Sequence, residues 1–196
     1  MHPPPRQWLL TDERMGARLW EAVGRLPRGS GVVLRHHSLA AGERRAMARR
    51  LRALAARRGW LLAVAGLSGF GGLHWHRGAR RHAAPFVTAS AHSAAEVRSA
   101  FRAGADLVFL SPVFPTRSHP GAPTLGPVRF GLARTGARGP VVALGGIDRR
   151  SARRLKSDGI AGIDLWLAAG RPPVSGRASA PAAPPSRANR RPTPAP

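Results

Sequence analysis

Between Leu110 and Gly126 the chain reads LSPVFPTRSHPGAPTLG, a stretch dense in hydroxyls, prolines, glycines and basic groups. It follows an apolar run, Ala105–Leu110. A second apolar run, Val141–Leu144, ends in Gly145–Gly146. A buried strand that opens into a glycine- or hydroxyl-rich loop suits phosphate, because bare backbone N–H groups can approach the anion. Two such loops in succession point to a phosphorylated small molecule. They also point to a barrel whose site lies at the C-terminal ends of its strands.

Such loops need strands beneath them and helices between. Gln7–Thr11, Gly31–Arg35, Trp60–Ala65, Leu73–Trp75, Phe86–Ala89, Ala105–Leu110, Val141–Leu144 and Ile163–Leu167 read as strands. Apolar residues at helical spacing predict helices over Met15–Leu26 and Leu39–Arg58. Ser93 and Glu96 have the spacing of a capping box for a helix over Ala94–Ala103. Val128–Arg134 reads as a short helix, and Asp148 as the N-cap of another over Arg149–Ser157. The glycine-rich stretch after Ala65 and the RGARRHAAP stretch leave little room for helices three and four. Alternating strands and helices favour a parallel sheet. Eight units in this length make an α/β fold, a trimmed (β/α)8 TIM barrel over residues 1–170, with a doubly wound sheet as the alternative. No G-x-G-x-x-G follows the first strand, which counts against a dinucleotide fold. Residues 171–196 are rich in Pro, Ala and Arg without apolar periodicity, and read as a disordered C-terminal tail.

Composition narrows the classes. The chain has no Cys, so disulfides and thiolate metal sites are excluded. No apolar run approaches the roughly 20 residues that span a bilayer. The N-terminal stretch lacks a signal-peptide apolar region, which makes a cytoplasmic location the expectation. The formal net charge is +23, from 32 Lys and Arg against nine acidic residues. The arginines are scattered and not interleaved with aromatics, so solvated helix faces explain them better than a dedicated nucleic-acid surface.

The loops, in this order, resemble the thiamine phosphate synthase family, which includes the TenI-like thiazole tautomerases. The resemblance is clearest over Phe86–Ala168, through SAHSAAEV, AGAD, SPVFPT, SHPGAPTLG, VVALGGI and AGID. Weaker echoes are WLLTDE, VVLRHH and GLHWH. The resemblance implies a (β/α)8 barrel of thiamine biosynthesis. It would join a hydroxymethylpyrimidine pyrophosphate to a thiazole phosphate, with release of pyrophosphate. It implies phosphate contacts at Thr116, Ser118, Gly145 and Gly146, a pyrophosphate contact at Ser90, and an active-site role for Arg35.

The departures from the family pattern fall on the metal and the pyrophosphate. A strand-two Gln is replaced by Val33, and a Lys by His37. The Asn-Asp pair after strand three is replaced by Ala63-Val64-Ala65, and the carboxylate after strand four by RGARR. The loop Lys becomes His119. Mg²⁺ is commonly held by one or two carboxylates, so the implied cofactor lacks its expected ligands. His119, His37 and Arg35 are the candidate catalytic residues, as cations or acid–base groups taking over from the metal. A non-catalytic, thiazole-phosphate-binding relative is the alternative. His74 reads as a buried, hydrogen-bonded core histidine. Asp12 reads as either a site residue or a helix cap.

Overall fold

A computed structural model describes residues 3–76, 84–116 and 121–167. Eight short parallel strands close into a barrel, in sequence order round the ring. They are β1 (Gln7–Leu10), β2 (Gly31–Leu34), β3 (Leu61–Ala65), β4 (Gly72–His76), β5 (Val87–Ala91), β6 (Leu107–Leu110), β7 (Val141–Leu144) and β8 (Gly159–Gly162). The helices are α1 (Arg18–Arg25), α2 (Ala41–Arg58), α3 (Ala94–Arg102), α4 (Gly126–Thr135) and α5 (Arg149–Arg154). The fold is the expected α/β TIM-type barrel. The suggested tail, 171–196, lies outside the described residues. No helix among the described residues is long and apolar enough to cross a membrane.

The barrel interior is filled by Trp8, Leu10, Val33, Leu107, Phe109 and Val142, with Ala63 and Ala161. Trp8 and Phe109 meet edge to face, with ring centroids 5.2 Å apart. Gly31 lies under the Trp8 ring, where a Cβ would collide with it. The strands' other faces pack on the helices in two outer cores.

Acidic side chains hold the N-terminal ends of two strands. The Val87 N–H donates to Asp106 at 2.7 Å, and the Val141 N–H to Asp158 at 2.9 Å. Asp158 also binds Arg134 from α4, at 2.6 and 3.1 Å. That use of Asp158 explains why α5 stops at Arg154 and not at Ser157: the chain turns extended at Leu155 to bring Asp158 under β7. Ser93 caps α3 as predicted, but Glu96 accepts the N–H of His92, at 2.8 Å, one residue before the cap.

The last strand is not Ile163–Leu167. The ring closes through Gly159–Gly162, which pairs with both β7 and β1. A Cβ at Gly159 would stand 2.6 Å from the Arg6 carbonyl oxygen, so only glycine fits. Residues Asp164–Trp166 form a 3-10 turn, which carries Asp164 out to the surface. Trp166 then packs on the α1 side of the barrel, and its Nε1–H donates to the Trp8 carbonyl at 3.0 Å.

No helix follows β3. Six residues, 66–71, join β3 to β4, with positive φ at Gly66, Gly69 and Gly71. Side chains from α2 reach across instead. Arg44 donates to the Ala65 carbonyl, and Arg52 to that of Gly69 at 3.4 Å.

Gly31→Ala tests the filling of the barrel. The new methyl meets the Trp8 ring in a closed interior, so the variant is expected to lose about 1–3 kcal/mol in urea unfolding. An unchanged midpoint would show that Trp8 does not need this space.

Candidate functional site

The C-terminal ends of the strands surround a cavity of about 690 Å³. In a parallel barrel this is the end where loops from every strand converge. Strand alternation sends every second residue inward, and the cavity wall follows from it. Arg35 enters just past β2, Ser90 from the end of β5 and Leu144 from β7. Loop residues 111–116 and Gly145–Gly146 close one side, and residues 161–165 the other.

Gly145 and Gly146 stack directly on the loop after β6. The Val113 N–H donates to the Leu144 carbonyl at 2.9 Å, and that of Phe114 to Gly145 at 3.0 Å. A Cβ on Gly145 would sit 2.9 Å from Pro112, and one on Gly146 would sit 2.8 Å from the Phe114 carbonyl carbon. Both glycines have positive φ, +90° and +63°. They are therefore required by the packing of the two signature loops, apart from any ligand. Thr116 also lines the cavity, on the same side.

Arg35 is the central cation. Its Nε–H donates to the Thr11 carbonyl at 3.0 Å and its Nη2 to Asp12 at 3.2 Å. The Thr11 hydroxyl accepts the backbone N–H of Arg35 at 3.1 Å and meets His36 Nδ1 at 3.0 Å. Burial pulls the Arg35 pKa down and the Asp12 charge pulls it back. It stays protonated, because guanidinium is not deprotonated in proteins. Asp12 is also held by Arg14, through Nε at 2.7 Å and Nη2 at 3.1 Å, and accepts the Arg14 backbone N–H at 3.1 Å. The Arg14 guanidinium keeps its carboxyl below the usual carboxylate range, against an opposing effect of burial. Both sequence readings of Asp12 are met: it caps the Glu13–Met15 turn and lines the cavity.

Below the cavity a polar chain links the neighbouring strands β4 and β5. Ser90 Oγ lies 3.2 Å from His74 Nε2, and His74 Nδ1 lies 2.9 Å from the Thr88 hydroxyl. His74 is fully buried, as read from the sequence. His92 was not foreseen. It lies two residues past Ser90, so strand alternation puts it on the same face. Its Nδ1–H donates to the Ser111 carbonyl at 2.8 Å, which fixes the tautomer and ties β5 to the signature loop.

The other candidates are placed less centrally. His37 lines an adjoining recess of about 460 Å³, with Glu13, His36 and Ser38; Arg14 and Arg35 border both spaces. Ser118 and His119 lie outside the described residues. Val33 and Ala63 are fully buried in the barrel interior, so no polar group replaces the family's Gln and Asn-Asp there. Among the described residues no cluster of three metal-ligating side chains exists.

A closed (β/α)8 barrel with a polar cavity at this end defines the class. The profile of the family described as thiamine monophosphate synthase matches residues 76–168. A thiamine-phosphate synthase from Chlorobium luteolum is 42% identical over 78 residues, 39% of this chain and 37% of that protein. One from Geobacillus thermodenitrificans is 37% identical over 78 residues, 39% of this chain and 35% of that protein. The matches thus span just over a third of those relatives. Among solved structures, a thiamine phosphate pyrophosphorylase from Pyrococcus furiosus superposes with a TM-score of 0.69. It is 22% identical, with 81% of this chain and 85% of that one covered. FabK from Thermotoga maritima shares the fold, at a TM-score of 0.60 and 17% identity over 84% of this chain and 60% of that one. The chain is a distant homologue of the thiamine-phosphate synthases, and its similarity to the thiamine monophosphate synthase family lies in residues 76–168.

Burial lowers the pKa of His36 and of His37 below that of a free imidazole, and neighbouring Arg44 and Arg35 add to this at His37. In both, the surroundings favour the neutral ring. Proton NMR is expected to show both rings titrating at lower pH than histidine in a peptide. A midpoint at or above the peptide value would show that burial does not set the titration of these rings.

Proposed function

We propose that this chain is a divergent thiamine phosphate synthase-like enzyme of thiamine biosynthesis. It joins a hydroxymethylpyrimidine pyrophosphate to a thiazole phosphate. The observation that carries this reading is that Arg35, Ser90, Thr116, Gly145 and Gly146 all line one cavity at the functional end of the barrel.

In this reading the thiazole phosphate lies against Gly145–Gly146 and Thr116. The pyrophosphate lies toward Ser90 and Arg35. The bond between the pyrimidine methylene and the pyrophosphate oxygen breaks, and the oxygen keeps the electron pair. The thiazole nitrogen then donates its lone pair to the methylene carbon. Arg35 stabilises the charge that develops on the departing oxygen, an effect strengthened by its burial. His119 supplies a further donor or acid–base group, and Ser118 a further phosphate contact.

Mg²⁺ does not fit the residues present. The positions expected to hold it carry Ala63-Val64-Ala65 and the basic stretch RGARR, and Asp12 is engaged by two arginines. No step is assigned to it. This observation favours a second reading, a relative that binds thiazole phosphate without turnover.

One assay separates the two. The protein is mixed with thiazole phosphate and the pyrimidine pyrophosphate, in Mg²⁺ or in EDTA, and thiamine phosphate is measured. Product in either buffer supports the enzyme. None in any condition, with thiazole phosphate still bound in calorimetry, selects the binding relative. Gly146→Glu is expected to weaken thiazole-phosphate binding by about tenfold or more, because it displaces the signature loop and adds a negative charge. Unchanged affinity would remove Gly146 from the site.

A further inference from the structure

All nine acidic residues of the chain fall within the described residues, so their positions account for every carboxylate it has. Five are committed to fold contacts: Glu21 to α1 arginines, Glu43 to the Ala40 N–H, Glu96 to that of His92, and Asp106 and Asp158 beneath strands. Asp148 caps α5, and Glu13 accepts the Ser38 N–H at 2.7 Å. Only Asp12 and Asp164 line the main cavity. The stretches 77–83 and 117–120 hold no Asp or Glu, and none follows Asp164. Among the described residues no other Asp or Glu lines the cavity.

Asp12 is not placed as a metal ligand. Its two oxygens face two guanidinium groups: Oδ1 takes Arg14 Nε, and Oδ2 takes Arg14 Nη2 and Arg35 Nη2. That is how arginines hold a carboxylate or phosphate. Arg35 keeps Nη1 without a hydrogen bond among the described residues, and it borders the cavity. Its Nε is anchored on the Thr11 carbonyl, which fixes the plane of the guanidinium.

We infer that the cavity is a metal-independent anion site in which Asp12 is the resident counter-anion. It orients Arg14 and Arg35 and competes with an incoming phosphate or pyrophosphate for them. The inference rests on the reading of the cavity as a phosphate site, and removes the divalent cation from it. A metal ligand and a competing anion respond oppositely to loss of charge. Neutralising Asp12 would destroy a metal site, but it loosens the hold on Arg35 Nη2 and leaves that group to the ligand.

The test is calorimetric titration of the full chain with inorganic pyrophosphate, at fixed ionic strength, in EDTA and in Mg²⁺. One-to-one binding is expected in EDTA. Mg²⁺ leaves it equal or weaker, since the ion complexes pyrophosphate in solution. Asp12→Asn is expected to tighten it several-fold. Arg35→Gln is expected to weaken it by about tenfold or more, the loss of a charge-assisted hydrogen bond. Arg45→Gln, on the exposed face of α2, controls for diffuse attraction to the positive surface and is expected to change little. Binding only in Mg²⁺, or lost in Asp12→Asn while Arg35→Gln still binds, overturns the metal-independent site but leaves a phosphate cavity. Binding in neither buffer, or weakened equally by Arg45→Gln, overturns the phosphate site itself. Circular dichroism of each variant checks folding, and a variant that unfolds is replaced by Arg35→Lys, whose amine cannot span Thr11 and Asp12 together.

Discussion

Closure of the ring is the constraint on which everything else depends. Each strand is only four or five residues long. Each ladder therefore aligns just three or four residue pairs. No strand has enough partners on one side to stand alone, so the eight ladders must form together. Short strands also shorten the distance between core and chemistry. On β1, Trp8 fills the barrel interior and Asp12, four residues on, lines the cavity. On β2, Val33 is core and Arg35 is site. A one-residue slip of a strand would turn its inward-facing side chains to the opposite face and take core and site residues out together.

Much of this was legible in the sequence, for a physical reason. Apolar runs of β-branched and aliphatic residues bounded by glycine mark β2, β3, β6 and β7 whatever surrounds them. The strand that escaped, Gly159–Gly162, is selected by tertiary crowding. GIAG has weak strand propensity; the nearness of the Arg6 backbone explains Gly159, and that of Leu165 explains Gly162. Ile163–Leu167 looked more strand-like, but its apolar side chains are wanted outside the barrel, against α1.

The site divides in the same way. Arg35, Ser90, Thr116, Gly145 and Gly146 were named through the family resemblance, and the structure brings all five to one cavity. Arg14 and Thr11 were not. Their contribution depends on the register of β1 against β2, which pairs Leu10 with Val33 and so sets Thr11 beside Arg35. Pairing between distant segments is not written in either segment. His37 shows the reverse error. It lies two residues beyond Arg35, but the strand has ended at Leu34, so alternation no longer carries it into the cavity. The resemblance pointed to glycines that greet phosphate; their close packing under Pro112 and Phe114 adds a reason they would be retained even without one.

The bond from the Trp166 indole to the Trp8 carbonyl joins residues 158 apart in sequence. Together with the β1–β8 ladder it makes the first and last strands ordinary neighbours. A closed ring of this kind has no preferred starting point. The order in which its strands are strung is a property of the gene and not of the fold. The same barrel can in principle be cut at the glycine-rich connection 66–71 and rejoined between its first and last strands, since connections that carry no helix interrupt the fewest contacts. In such a permuted chain β1 and β8 would lie in the middle of the sequence, and the indole contact would turn from a long-range link into a local one.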